Sequence, residues 1–455
     1  MNHKPYPKYK ESGVQWLGQV PGHWQVWKLS HGFQNTGSGT TPPSDNDVWY
    51  EGDIPWITTS ELRESIIFDT TKKVSENALT TFSALKLFPE GSLVIAMYGA
   101  TIGRLGILGV PATTNQACCV MYGERVLKAR FMFLWFQAFR EQVILLASGG
   151  GQPNISQDKI RSIRVACPPL PEQTVIADFL HRETGRINTL VAKKRRLIAL
   201  LGEKRTALIS RTVTRGLPAD AAREFGLAPH TRFKDSGIEW LGELPEGWHG
   251  TTLKRVVSVC GRIGFRGYTT EDLVDEDEGA LVLGGTNLTK IGQLDLTKRT
   301  YLSWFKYEES PEIKVKFNDL VIGQRGTCGK VVLINQNIGP ATINPSLVLL
   351  KEPKIHSGFL CYWLMGEYIQ SIFSSYLSAT AVPMLSQQQI GNVPVCHPDI
   401  QTQTAIATYL DRKTTKIDQL IAKVEAAIAR LQEYRIALIT AAVTGKIDVR
   451  PREAP

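Results

Sequence analysis

YKESGVQWLG at residues 9–18 recurs as FKDSGIEWLG at residues 233–242, an offset of 224. At that same offset Trp24 matches Trp248 and Leu29 matches Leu253. The matching continues with small shifts. TIGR (101–104) returns as TCGK (327–330), and ATTNQ (112–116) as ATINP (341–345). Trp135 returns as Trp363, PNISQDKI (153–160) as PMLSQQQI (383–390), and IADFL (176–180) as IATYL (406–410). ALISRTVT (207–214) closes the series against ALITAAVT (437–444). A self-similarity sustained in this order makes the chain two copies of one unit of about 220 residues.

Each unit has a mixed globular part followed by a helical segment. The globular parts carry Gly punctuation and Thr-, Val- and Ile-rich apolar runs, such as ALVLG (280–284) and VVLI (331–334), that predict strands. FMFLWFQAFREQVILL (131–146) predicts a mostly buried helix. Trp16 with Trp240 and Trp24 with Trp248 read as core anchors of each domain's first turn.

The helical segments follow prolines. Pro168, Pro169 and Pro171 break the chain, and residues 172–214 then hold no Pro and two Gly. The copy, 401–444, holds neither. Forty-three residues span about 65 Å as a helix. Both carry a seven-residue apolar repeat. It runs through Leu180, Ile187, Lys194, Leu201 and Leu208 in the first, and through Leu410, Ile417, Val424, Leu431 and Leu438 in the second. Leu190 and Leu197, with Leu420 and Tyr434 in the copy, form the companion line. Lys194 faces the seam, where its long stem is able to reach out to water. A heptad of this length predicts a coiled coil. The alternative is an amphipathic helix lying on its own domain. Pseudo-two-fold symmetry favours antiparallel pairing. The predicted class is α+β: two pseudo-symmetric mixed α/β domains joined by two long antiparallel helices. The predicted boundaries are 1–171 for the first domain, 172–217 for its helix, 218–232 for a linker, 233–399 for the second domain, 400–447 for its helix and 448–455 for a tail.

Composition agrees with a globular chain. Of 455 residues, 43% are hydrophobic and 21% charged, which excludes a wholly disordered or fibrous protein. The net charge of +9 suits an anionic partner. Seven cysteines without a C-x-x-C pair argue against a disulfide scaffold or zinc ribbon and fit a reducing cytoplasm. No signal peptide is visible in MNHKPYPKYK, and FMFLWF (131–136) is far too short to span a bilayer, which takes about 20 residues.

With the repeat in view, the starts SGVQWLGQVPGHW and SGIEWLGELPEGW, the PNISQ and PMLSQ segments and the helix start PLPEQTVIADFL resemble the DNA-specificity subunits of type I restriction-modification systems. The resemblance spans about residues 9–447. It implies two target-recognition domains, each reading one half of a split DNA sequence. It also implies helices that set the gap between the halves and dock two methyltransferase subunits, with restriction (translocase-nuclease) subunits completing the complex. S-adenosylmethionine, ATP and Mg2+ are then expected on those partners and no cofactor on this chain. Charge supports this in part. Residues 172–217 carry net +6, but residues 233–399 carry net −3, with six acids in the eight residues 271–278. That run lacks calcium-loop spacing and reads as a solvated loop.

Catalytic strings are missing. There is no P-loop. Asn344-Pro345-Ser346-Leu347 approximates a methyltransferase loop, but its copy Asn115-Gln116-Ala117-Cys118 breaks the pattern. Glu312-Ile313-Lys314 and Glu352-Pro353-Lys354 fit a nuclease E-x-K string without repeat partners. The readings weighed against DNA recognition are therefore a self-contained DNA-cleaving enzyme and a coiled-coil scaffold that binds only protein. Direct DNA reading uses Arg or Lys on guanine and Asn or Gln on adenine, with most other contacts on phosphate. Polar, Gly-flanked loops between apolar strands supply the candidates. They are Thr36, Ser38, Thr40, Thr41, Thr58, Thr59, Ser60, Tyr98 and Arg104 in the first domain. In the second they are Arg262, Arg266, Tyr268, Thr286, Asn287, Arg325 and Lys330. Arg104 and Lys330 occupy matching places after Gly103 and Gly329. Asn115 and Asn344 serve equally well as structural amides. The run Gly149 to Gly151 reads as a phosphate-approach loop or a plain turn.

Overall fold

The computed structural model describes residues 4–147, 154–238, 241–262, 264, 267–378 and 383–451. The chain divides into two compact units, residues 1–194 with 425–455, and residues 195–424.

In the first unit a five-stranded sheet runs in the order Phe33–Gly37, Cys118–Glu124, Leu93–Ala96, Leu105–Leu108, Ser65–Ile67. A smaller sheet sets Ile54–Ile57 between Thr113–Thr114, which runs parallel to it, and Lys73–Val74, which runs antiparallel. The second unit repeats this plan. Ser258–Gly261, Leu347–Lys351, Leu320–Gly323 and Val331–Leu333 form one sheet. Gly279–Leu283 lies between a parallel Ala341–Ile343 and an antiparallel Tyr301–Ser303 in the other. The predicted runs ALVLG and VVLI thus fall on strands. Parallel pairing at the same place in both copies is the topological mark of the repeat, because it requires a crossover rather than a hairpin.

Beneath the larger sheet of the first unit lies a core of Trp24, Phe131, Trp135 and Phe136. The helix predicted over 131–146 is two helices, Ala129–Ala138 and Arg140–Leu145, broken at Phe139. Only the first is mostly buried, and Leu145 stands in solvent. Trp24 and Trp248 are core anchors as expected. Trp16 is half-exposed, edge-on to Trp135 and Phe139, and Trp240 lies outside the described residues.

The long helices run Leu170–Arg215 and Ile400–Val443. Pro171 falls within the first turn, where a missing N–H costs nothing. Asp399 caps the second helix, accepting from the backbone N–H and the hydroxyl of Thr402. Each start is tied to its own domain by a matched glutamine. Gln173 Nε2 donates to the carbonyls of Val126 and Pro168 while its Oε1 accepts from Lys128 N–H. Gln403 repeats this with Pro398 and His356 N–H.

Beside Gln173 the copies diverge. Buried Glu172 accepts from Tyr6 Oη at 2.6 Å and Trp24 Nε1 at 3.0 Å, with His23 Nε2 at 2.8 Å. Burial first, then this carboxylate, push the Tyr6 phenol well above its ordinary pKa. Thr402 stands at the matching place, and buried Trp248 Nε1 finds no partner among the described residues. Glu172→Ala would strand two buried donors. The expected loss is about 2–4 kcal/mol, read by chemical denaturation of the full chain. A loss under about 0.5 kcal/mol would mean that water replaces the carboxylate without cost.

Each long helix crosses from one unit to the other. The first starts in unit one and the second ends there, so the two are antiparallel within each unit. Ile176, Leu180, Ile187 and Val191 share a core with Leu438, Ile439, Ala442 and Val443. In the second unit Ile209 and Val213 share one with Ile406, Tyr409 and Leu410. The main seam lines are buried or half-buried throughout, Lys194 included. The expected companion line is not. Leu190, Leu197 and Leu420 are 43%, 41% and 44% exposed, and Tyr434 is exposed as well. The covered companions lie four residues after each seam position, at Thr184, Val191, Ile198, Arg205 and Thr212, and at Thr414, Ile421, Ile428, Arg435 and Ala442. The leucine line therefore takes the d positions and a largely β-branched line the a positions.

Candidate nucleic-acid interface

At one edge of the first domain four loops converge. Gly39 N–H donates to Thr114 Oγ1 at 3.0 Å, and Thr41 Oγ1 donates to Gln116 Oε1 at 2.7 Å. Gln157 Nε2 donates to Ser38 Oγ at 2.9 Å. Asn115 N–H bonds Ile57 O, and Tyr98 bridges to Asn154. Gly39 is required here, since a Cβ would lie 1.8 Å from the Thr114 carbonyl oxygen. The candidates Thr36, Ser38, Thr40, Thr41, Thr58, Thr59, Ser60 and Tyr98 thus share one polar edge. Thr58 and Ser60 hydrogen-bond each other at 2.7 Å. Arg104 is half-buried in the neighbouring turn, and its guanidinium makes no hydrogen bond or ion pair among the described residues.

The second domain builds the same edge. Asn344 N–H bonds Leu283 O, Gln324 N–H bonds Ser346 O, and Leu385 N–H bonds Gln324 O. Arg325 bridges to Met384 as Tyr98 does to Asn154. Thr286 and Arg325 are exposed on this edge. Three other candidates are engaged inside the domain. Arg262 is 8% exposed, donating to Ile343 O and Thr342 Oγ1 and lying over the half-buried Tyr268 ring. Buried Asn287 accepts from Gly284 N–H and donates to the carbonyls of Asp295 and Lys298, so its amide is used within its own loop. Lys330 Nζ donates to Leu288 O, whereas its counterpart Arg104 makes no such bond among the described residues. Arg262 and Asn287 spend donors on acceptors inside the domain, and Lys330 spends one of its three. Arg266 and the Gly149–Gly151 run lie outside the described residues.

Asn115 and Asn344 prove to be turn formers, their Oδ1 atoms accepting from Ala117 N–H and from Ser346 N–H. Glu312-Ile313-Lys314 lies in a 3-10 turn and its onward residue, and Glu352-Pro353-Lys354 follows the end of a strand, so neither E-x-K string lies along a strand. The acidic run is partly engaged. Asp272 accepts from Thr269 N–H, while Glu276 pairs with Arg299 and Tyr301. Those donors hold the Glu276 carboxyl below its usual range.

Missed from the sequence were Gln116, Gln157, Gln324 and Gln387, amides on the same edges. Gln157 and Gln387 match at offset 230 within the two recurring SQ strings, and that recurrence was the available signal. Amides of this kind pair with adenine edges. Among the described residues no cluster of three His, Cys, Asp or Glu is placed to hold a metal, and no helix is long and apolar enough to cross a membrane.

The family model for the type I restriction modification DNA specificity domain matches residues 21–198 and 287–430. The MjaVIII type I restriction enzyme specificity subunit of Methanocaldococcus jannaschii is 24% identical over 97% of both chains. The EcoKI specificity subunit of Escherichia coli K12 is 22% identical over 96% of this chain and 91% of its own. Among solved structures, a chain from a type I R-M system described for its assembly and conformational transition aligns with TM-score 0.65. It is 17% identical, over 93% of this chain and 98% of that one. The HsdS subunit from Thermoanaerobacter tengcongensis aligns with TM-score 0.51 at 18% identity, over 96% and 100%.

Proposed function

The chain belongs to the family defined by the type I restriction modification DNA specificity domain, and from that premise we propose that it reads a split DNA target, one half-site per domain. It recognises DNA sequence as a specificity subunit. The observation that carries the split is the duplicated four-loop edge, built from matching strands and turns but carrying different exposed side chains. Tyr98 and Gln116 stand on one edge where Arg325 and Pro345 stand at the matching places on the other. Equal frames with unequal side chains suit two different half-sites.

In this reading the chain performs no catalysis. Its long helices dock two methyltransferase subunits, and restriction subunits join them, in the cytoplasm. S-adenosylmethionine, ATP and Mg2+ act on those partners. The placement of both E-x-K strings off the strands disfavours a concealed nuclease.

Methylome sequencing of cells expressing this chain with its methyltransferase partners tests the proposal. The expected result is methylation at one split motif with a fixed gap. Methylation at a single uninterrupted motif, or none that depends on this chain, would overturn it. Arg104→Ala is expected to cost about 1–3 kcal/mol of discrimination at one base position. Equal weakening on every sequence would make Arg104 a phosphate contact instead.

A further inference from the structure

The two long helices carry an arginine at the same seam position, Arg205 and Arg435, offset by 230. An arginine in an a-type position is out of character for an apolar seam, and both are drawn toward their domains. Arg205, 8% exposed, pairs with Asp418 Oδ1 through Nε at 2.9 Å. Its Nη2 reaches out of the helix pair to the carbonyl of Ile291 at 2.8 Å. Ile291 belongs to the loop that follows Gly279–Leu283 and begins with Gly284, Thr286 and Asn287. Lys330 pins that same loop at the Leu288 carbonyl.

The first unit places Arg435 in the matching relation. Its Nη2 lies 3.4 Å from Gln137 Oε1, and it feels the charge of Glu64. Glu64 closes the loop that follows Ile54–Ile57 and contains Thr58, Thr59 and Ser60, and Arg140 Nη1 stands 3.6 Å from its carboxylate. Gln137 matches Met365, which packs beside Gly292 next to Ile291. Arg205 thus bonds its loop directly, whereas Arg435 bonds Gln137, close in sequence to the Arg140 that pairs with Glu64 at the end of the matching loop. A second difference separates them. Asp418 is matched by Asn188, so the first unit has no seam carboxylate at that place, and Arg435 Nε has no hydrogen-bond partner among the described residues.

We infer that Arg205 and Arg435 are positioning residues, each fixing the reading loop of its own domain on the helix pair. Neither touches DNA in this scheme. A guanidinium suits the task because its fork satisfies a seam carboxylate and a loop carbonyl together from one rigid plane. Tied at Leu288 by Lys330 and at Ile291 by Arg205, the second domain's loop presents Thr286 in a single pose, and discrimination between bases depends on such a pose.

This inference rests on the split-site reading above. The test uses the full chain assembled with its methyltransferase subunits, and reads methylation rates on the best site and on single-base variants across both half-sites. Arg205→Met is expected to cut discrimination about tenfold at positions read by the second domain and to leave the other half-site unchanged. Arg435→Met should do the reverse. Arg205→Lys keeps the charge and stem but loses the fork, and about a threefold loss at the same half-site is expected. Should Arg205→Met fail to fold, Arg205→Lys and Asp418→Asn decide. A uniform drop in rate with discrimination intact at both half-sites would reduce both arginines to seam stability and overturn the inference. A wild-type chain that recognises an unsplit motif overturns the split-site reading and this inference with it. A split motif indifferent to every variant overturns this inference alone.

Discussion

A chain with one extra heptad in each long helix is expected to methylate sites whose half-sites stand about three base pairs further apart. Seven residues keep every seam position in register and add about 10 Å of helix, against about 3.4 Å of axial rise per base pair. The insertions belong between Leu190 and Leu197 and between Leu420 and Ala427. These stretches carry exposed leucines beside covered Val191 and Val424, so added surface there disturbs little packing. Three base pairs turn the groove by about a third of a helical turn, and twisting the DNA to meet it costs energy. Affinity should therefore fall even at the best spacer. A three-residue insertion is expected to carry Ile198, Arg205 and the positions that follow out of register with the covered positions before it and to destabilise the chain. A library of sites with varied spacers reads the outcome. An unchanged preferred spacer in a folded heptad variant would show that the helices do not set the gap.

Trp363→Ala is expected to be the most damaging single truncation in the second domain, at about 3–5 kcal/mol. Trp363 is 1% exposed in the core that joins the domain to its helices, between Phe359 and the strand Pro394–His397. Its Nε1 also donates to Pro394 O at 2.9 Å, so truncation leaves a cavity and an unpaired carbonyl together. The matching Trp135 is as deeply buried, yet its Nε1 finds no partner among the described residues. Trp135→Ala should thus cost about 1 kcal/mol less. Denaturant midpoints of the two variants check this, and an equal or reversed order would mean that the Pro394 bond contributes nothing net.

The duplicated architecture is legible in the sequence because the same strings return in the same order with the same helical tails. Strand runs such as 280–284 are legible for the usual reason, apolar β-branched residues between turn formers. The companion seam is not, because hydrophobicity draws the eye to Leu190 and Leu197. The antiparallel cores instead cover the positions one step on, where Thr184, Val191 and Arg205 stand. Their heptad spacing was visible, but an arginine and threonines hide an apolar line. The break at Phe139 was hidden as well, since nothing in FMFLWFQAFREQVILL forbids one continuous helix.

The recognition edge was legible as a set of loops and illegible as a set of side chains. Polar residues beside glycines mark a turn equally well whether they face solvent or bond their own backbone. Arg262 finds its partner at Ile343, 81 residues away, and Asn287 closes a loop with Asp295 and Lys298. Local sequence reports neither. The recurring glutamines Gln157 and Gln387 show what the repeat adds. A polar side chain that returns at one place in both copies belongs to the shared frame, and there it happens to face outward.

Exchange of the first domain alone tests the central claim most directly. The junction should fall at Pro168, ahead of Glu172 and Gln173. The donor must carry partners for both residues and for the core shared with Ile176 and Leu438. Methylome sequencing of cells expressing the chimera with the same methyltransferase subunits is expected to show one half-site replaced, with the other half-site and the gap unchanged. A chimera that folds and methylates but changes both half-sites together, or neither, would contradict the account of two independent readers.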